Sequence, residues 1–230
     1  MTLPGRLLAL ATAPRVAMSS AVHLPLASVL AAWAFLLLVW GAVGAGLLLT
    51  SVGRQALVDE RVRVVESLGG RVDDGAYAGL QAAPPTWVYF TSGGRTLLTP
   101  PITLAVGAGL FVWLRRGAPV TFVQCLSLSV HATAALVVQQ VVATPLHLLR
   151  ESLTSPFNLA ALLPFFDEGS AAARFLGTIE IFGLLWVFLL AVGCAVVSER
   201  RTLGFIGPLL GTYAGVAAGV AGAGLLTGGS

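Results

Sequence analysis

The sequence predicts an all-α polytopic membrane protein, a bundle of five transmembrane helices with an amphipathic helix in its first outer loop. Three observations predict it. Hydrophobic residues make up 57% of the 230 and charged residues only 10%, where a soluble domain carries about 25% charged. Apolar runs cover 29–51, 120–142, 175–197 and 203–226, each near the roughly 20 residues a helix needs to cross the hydrocarbon. A shorter run, Ile102 to Leu114, extends back to Leu97 and completes the set as a span over 97–114. Backbone groups in lipid have no water to bond, so such runs are helical.

The first segment, 1–28, holds Arg6 and Arg15. Its run Leu7 to Ala11 and the triplet Ala11-Thr12-Ala13 imitate a signal peptide. The run is short, Pro14 would follow the cut, and a full span comes next, so cleavage is rejected. The segment is expected to lie along the cytoplasmic surface. Short-loop arginines orient the bundle. Arg6, Arg15, Arg115, Arg116, Arg200 and Arg201 fall on one side, and Arg150 and Arg174 on the other. That excess places the N-terminus inside and the C-terminus outside, in the cell (inner) membrane.

The first outer loop, 52–96, carries five Arg and five acidic residues. Over 55–68, Leu57, Val58, Val62, Val65 and Leu68 recur at spacings of three and four, which predicts an amphipathic helix closed by Gly69-Gly70. Trp87, Tyr89 and Phe90 follow Pro84-Pro85 and read as an aromatic belt before the second span. The second outer loop is 143–174. There Ser155 is expected to cap a helix whose first residue is Pro156.

In the last span Gly207, Gly211, Gly215 and Gly219 recur every fourth residue, forming a groove on one helix face. Helices associate in lipid by close backbone approach, so the groove predicts tight packing. Its mate is expected within the chain, with Gly41, Gly44 and Gly46 of the first span as candidates; a second copy or another membrane protein is the alternative.

Polar residues inside spans are the candidate functional positions. Gln124, Ser127, His131 and Gln139 fall on one face of the third span. That face is either a proton- or metal-handling site or a hydrogen-bonded seam between helices. Glu180 is the acidic residue well inside a span. Its depth matches Gln139 and Gln140 rather than His131, so a glutamine, Arg150 or Arg174 is its expected partner. His131 has no metal-ligand type three or four residues away. Cys125 and Cys194 read as apolar fillers. No P-loop, HExxH or GxSxG is present. Hence no catalytic residue, cofactor or metal is expected, and the scattered arginines offer nucleic acid no phosphate track.

Thr121-Phe122-Val123-Gln124 with Val130-His131-Ala132, then Ser155-Pro156-Phe157-Asn158-Leu159-Ala160, then Ile179-Glu180-Ile181-Phe182 with Trp186 and Leu189-Leu190-Ala191-Val192-Gly193 form an ordered series. It resembles bacterial members of the Yip domain family, the Ypt/Rab-interacting membrane proteins. The likeness covers about residues 95 to 226, and the family usually carries Asp where this chain has Glu180. The resemblance implies five spans with a cytoplasmic N-terminus. It also implies a non-enzymatic role in membrane organisation or as accessory subunit of a membrane complex, with the bilayer and a membrane-protein partner or second copy as its contacts. Eukaryotic relatives bind Rab GTPases, a partner that the high-GC bacterial composition does not provide. The rival reading is a small transporter or channel with a polar path near Glu180 and His131.

Overall fold

The computed structural model describes the chain except for residues 68–69, 83–85, 164–169 and 228–230. Within helices it leaves out the side chains of 64, 67, 86–96, 171, 174 and 223–227. The described residues are all-helical. In order they are α1 (Leu3–Thr12), α2 (Pro14–Ala21), α3 (Leu26–Leu49), α4 (Ser51–Ser67), α5 (Asp74–Gln81), α6 (Thr86–Leu114), α7 (Phe122–Arg150), α8 (Leu159–Leu162), α9 (Ala171–Gly177), α10 (Ile181–Val197) and α11 (Leu203–Thr227).

Among the described residues four segments are long and apolar enough to cross a membrane: Leu26–Leu49, Leu97–Leu114, Phe122–Arg150 and Leu203–Gly222. The span expected over 175–197 is different. Helix α9 stops at Gly177, and α10 begins only at Ile181 and runs 17 residues. Glu180 therefore lies in a break between two helices and not within one.

The chain divides into two compact units, Met1–Val39 with Thr96–Val138 and Phe182–Tyr213, and Trp40–Arg95 with Gln139–Ile181 and Ala214–Ser230. In the first unit α7 is the core. From Cys125 to Ala135 every residue is buried, the polar Ser127, Ser129, His131 and Thr133 included. Its hydroxyls bond back one turn, Ser129 Oγ to Cys125 O at 3.0 Å and Thr133 Oγ1 to Ser129 O at 2.9 Å. Such bonding keeps a polar side chain satisfied inside an apolar helix. Two glycines bring neighbouring helices against it. A Cβ on Gly107 of α6 would lie 3.2 Å from the Leu126 backbone, and one on Gly193 of α10 would lie 2.7 Å from Leu128 Cδ2.

Part of the N-terminal segment packs into this core. Ala17, Met18 and Ala21 of α2 are fully buried, and Arg6 of α1 is only 6% exposed. Ser127 Oγ donates to Ala21 O at 2.8 Å, tying α2 to α7. Pro14 opens α2 at a position where a missing N–H does no harm.

In the second unit α4 follows α3 after one residue. Thr50 Oγ1 accepts from Gly53 N–H at 2.9 Å and caps the new helix. Gly53 is needed there, because a Cβ would collide with the Leu47 carbonyl. Leu57 packs with Leu48 and Leu153, whereas Val65 of the expected apolar stripe is exposed. Leu68 and Gly69 lie outside the described residues, as do Pro84, Pro85 and the side chains of Trp87, Tyr89 and Phe90. Helix α5 packs back on α4: Asp73 caps it through Ala76 N–H at 2.7 Å, and Tyr77 Oη donates to Asp59 at 3.1 Å.

Candidate functional site

Polar chemistry concentrates at the break before α10, in the second unit. The chain from Phe157 to Leu159 pairs antiparallel with Ile179 to Ile181. Leu159 N–H donates to Ile179 O at 2.9 Å, and Ile181 N–H to Phe157 O at 3.0 Å, with Asn158 opposite Glu180. These two backbone bonds compensate for helical bonds missing at the break. Asn158 serves both elements. Its Oδ1 accepts from Ala161 N–H at 2.7 Å and caps α8, and its Nδ2 donates to Ser155 O at 3.0 Å. The cap is thus Asn158 rather than Ser155, and Pro156 lies in the turn before the helix.

Ser155 is freed for another task. Its Oγ donates to Glu180 Oε2 at 2.7 Å, and Gln139 Nε2 of α7 donates to the same oxygen at 2.9 Å. The glutamine partner expected for Glu180 is in place; the side chain of Arg174 lies outside the described residues. One carboxylate joins α7, the 151–158 loop and the start of α10. Charge-assisted bonds of this kind are about twice as strong as neutral ones.

Beside the carboxylate is a cavity of about 440 Å³, lined by Glu60, Arg63, Thr154, Ser155, Asn158 and Glu180 among others. Arg63 Nη1 donates to Thr154 Oγ1 at 2.9 Å, and its Nη2 lies 3.9 Å from Glu60. The sequence reading missed Glu60, Arg63 and Thr154. The available signal was the i, i+3 pair on the polar side of a loop helix.

His131 and Gln124 belong to the first unit and have separate roles. Gln124 is a capping residue rather than a member of a polar face. Its Oε1 accepts from Thr121 N–H at 2.8 Å, and Gln124 N–H donates to Thr121 Oγ1 at 3.2 Å. This is the reciprocal capping box of a helix N-terminus. His131 is 1% exposed. Its Nδ1 lies 2.8 Å from Ser127 O; a carbonyl only accepts, so Nδ1 carries the proton. Nε2 then faces the core unpartnered, as do Trp33 Nε1, Trp186 Nε1 and Arg6 Nε among the described residues. Cys125 and Cys194 are buried and free. No group of three His, Cys, Asp or Glu able to hold a metal occurs among the described residues.

The glycine groove has no mate among the described residues. A Cβ on Gly207, Gly211, Gly215 or Gly219 would meet nothing within 4 Å. Of the expected mates, Gly46 also faces open space, and Gly44 faces Gln140 of α7 at 3.8 Å. The buried side of α11 instead carries Phe205 and Ala217. No family model, no curated protein and no solved structure matches the chain.

Proposed function

We propose that the chain is a five-span membrane protein of the Yip type, with its N-terminus in the cytoplasm and its C-terminus outside. In this reading α10 is the fourth span despite its length and α4 is the amphipathic helix of the first outer loop. The protein works without catalysis, in membrane organisation or as accessory subunit of a membrane complex. Its contacts are the bilayer and a membrane-protein partner or second copy, with the open glycine face of α11 available to either.

One observation carries the reading. Ser155, Asn158 and Glu180 come from two separate stretches of the series that resembles the family, and they meet in one hydrogen-bonded lock. A carboxylate already accepting from Ser155 and Gln139 serves as a bridge between helices, which suits a scaffold. Affinity purification from mild detergent with mass spectrometry tests the role, and a stoichiometric membrane partner is the expected result. A reporter active only in the cytoplasm tests the topology. It is expected to be silent after Ser230 and active after Arg201, and the reverse pattern overturns five spans.

A second reading rests on the cavity beside Glu180, where the carboxylate of Glu60 also lines the wall. Two acidic residues around a polar space suit a path for a cation or small polar solute. Purified protein that moves a solute in proteoliposomes would favour this reading over the first.

A further inference from the structure

The first unit holds a second cavity, of about 500 Å³, between two turns of the chain: 115–121, joining α6 to α7, and 198–202, joining α10 to α11. Three guanidinium-bearing residues line it, Arg116, Arg200 and Arg201, and no carboxylate residue does. Arg200 Nη2 donates to Gly117 O at 3.3 Å across the opening. Arg116 and Arg201 have no hydrogen bond or ion pair among the described residues. The neighbouring Arg115 is differently engaged, 5.3 Å over the Phe111 ring.

The apolar wall is equally defined. Trp113 and Phe205 meet edge to face at 5.6 Å, and Leu114 lies beside them. These residues end one apolar span and begin another, since Leu97–Leu114 stops here and Leu203–Gly222 starts here. The cavity therefore lies at the boundary depth, where a phospholipid carries its phosphate. Local geometry holds the arginines in position. Glu199 has φ of 54°, and Arg200 N–H donates to Ala195 O at 3.0 Å, a Schellman closure that turns the chain sharply after α10.

We propose that this cavity binds the phosphate of an anionic phospholipid, with Arg116, Arg200 and Arg201 around the headgroup and Trp113, Leu114 and Phe205 against the start of the acyl chains. Guanidinium forks match phosphate oxygens in pairs, and basic pockets between membrane helices are suited to such headgroups. Arginines that served only to orient the spans would need no shared cavity and no aromatic wall. The volume also exceeds what a bare phosphate fills, so the apolar wall favours an amphiphile over a free ion.

The proposal rests on the membrane reading, and the test separates the two. Full-length protein extracted in mild detergent is delipidated and titrated with phosphatidylglycerol, phosphatidylcholine or inorganic phosphate, with bound lipid counted by native mass spectrometry and unfolding followed by heating. Phosphatidylglycerol is expected to be retained and to raise the unfolding temperature, with phosphatidylcholine and inorganic phosphate giving far smaller effects. Combining Arg116→Gln with Arg201→Gln is expected to weaken retention about tenfold or more. The Lys pair keeps the orienting charge but loses the planar fork, so it is expected to fall between. Gly204, which lines the cavity and whose Cβ would meet nothing within 4 Å, allows a charge-neutral block through Gly204→Phe.

Lipid retention unchanged in both the Gln pair and the Gly204→Phe variant overturns the assignment. So does equal binding of phosphatidylcholine, and a full effect from inorganic phosphate would reduce the site to a free-anion site. If Gly204→Phe does not fold, the Gln and Lys pairs decide. A chain that remains soluble without detergent would overturn the membrane reading itself, an outcome none of the lipid titrations can imitate.

Discussion

Ser155 Oγ and Glu180 Oε2 are 2.7 Å apart, and that bond closes a loop-to-helix lock which Gln139 completes from α7 at 2.9 Å. The carboxylate lies at a helix break, where flanking backbone bonds to Phe157 and Leu159 hold the chain in place. Its position follows from the pairing of two distant segments and not from the apolar run in which its sequence is embedded.

The lock predicts a graded mutational response. Ser155→Ala removes one donor to a charged acceptor and is expected to cost about 1–2 kcal/mol. Glu180→Leu leaves two donors without their acceptor and is expected to cost about 2–4 kcal/mol. Glu180→Gln retains an oxygen for both donors and is expected to fold and function. Thermal unfolding in detergent beside a complementation assay checks this. A folded but inactive Gln variant would shift the balance to the transport reading.

Glycine substitutions are expected to divide by contact rather than by periodicity. Gly193→Leu drives a side chain into Leu128, and Gly183→Ala places a Cβ against the Tyr213 hydroxyl. Overpacking of this sort costs about 1–3 kcal/mol. Gly211→Leu meets open space, so the purified monomer is expected to keep its stability. Ala217→Leu is expected to destabilise, because Ala217 is 6% exposed and its carbonyl faces Thr178 Oγ1 at 3.4 Å. Unfolding temperatures of the four variants test the order.

The long apolar helices α3, α7 and α11 were legible because apolar length is a property of composition. The break at Thr178–Glu180 was not. Ile179 continues the apolar pattern, and only pairing with residues 157–159 interrupts the helix. Spacing also identified the face that carries Gly207 to Gly219 but had no information on what covers it. Helical rise put Gln139 and Gln140 at the depth of Glu180 beside the alternatives Arg150 and Arg174, and a bond from Gln139 is the one found, whereas Gln124 was misread for want of a local test. Thr121-x-x-Gln124 is a capping pattern, and its position just before the apolar run was the available signal. Burial of α1 and α2 was illegible because a short amphipathic face packs equally well on protein or on lipid.

That capping box gives a local prediction. Gln124→Ala removes the acceptor of Thr121 N–H and is expected to cost about 1 kcal/mol, whereas Gln124→Glu preserves the box and adds charge at the favourable helix end. If Gln124 instead served a polar path, the Glu variant would be functionally impaired while remaining stable. Unfolding temperature and complementation measured on both variants distinguish the outcomes.

The last prediction concerns Glu199, whose φ of 54° places a non-glycine residue in the left-handed region. That conformation brings a Cβ close to the following carbonyl and costs about 1–2 kcal/mol for an L-residue. The α10 terminus needs it nonetheless. Glu199 N–H reaches Val196 O at 3.4 Å and Arg200 N–H reaches Ala195 O at 3.0 Å, so both Schellman bonds depend on this one residue. Glu199→Gly relieves the strain but makes the unfolded chain more flexible, a penalty of about 0.5–1 kcal/mol. The balance favours glycine, and Glu199→Gly is expected to stabilise the protein by about 0.5–1 kcal/mol. Glu199→Val, β-branched and ill-suited to positive φ, is expected to destabilise it. The glycine variant also removes the acidic neighbour of Arg200 and Arg201, so phosphatidylglycerol retention is expected to rise or hold steady. Loss of stability in the glycine variant would mean that the Glu199 side chain, and not its backbone, holds the turn.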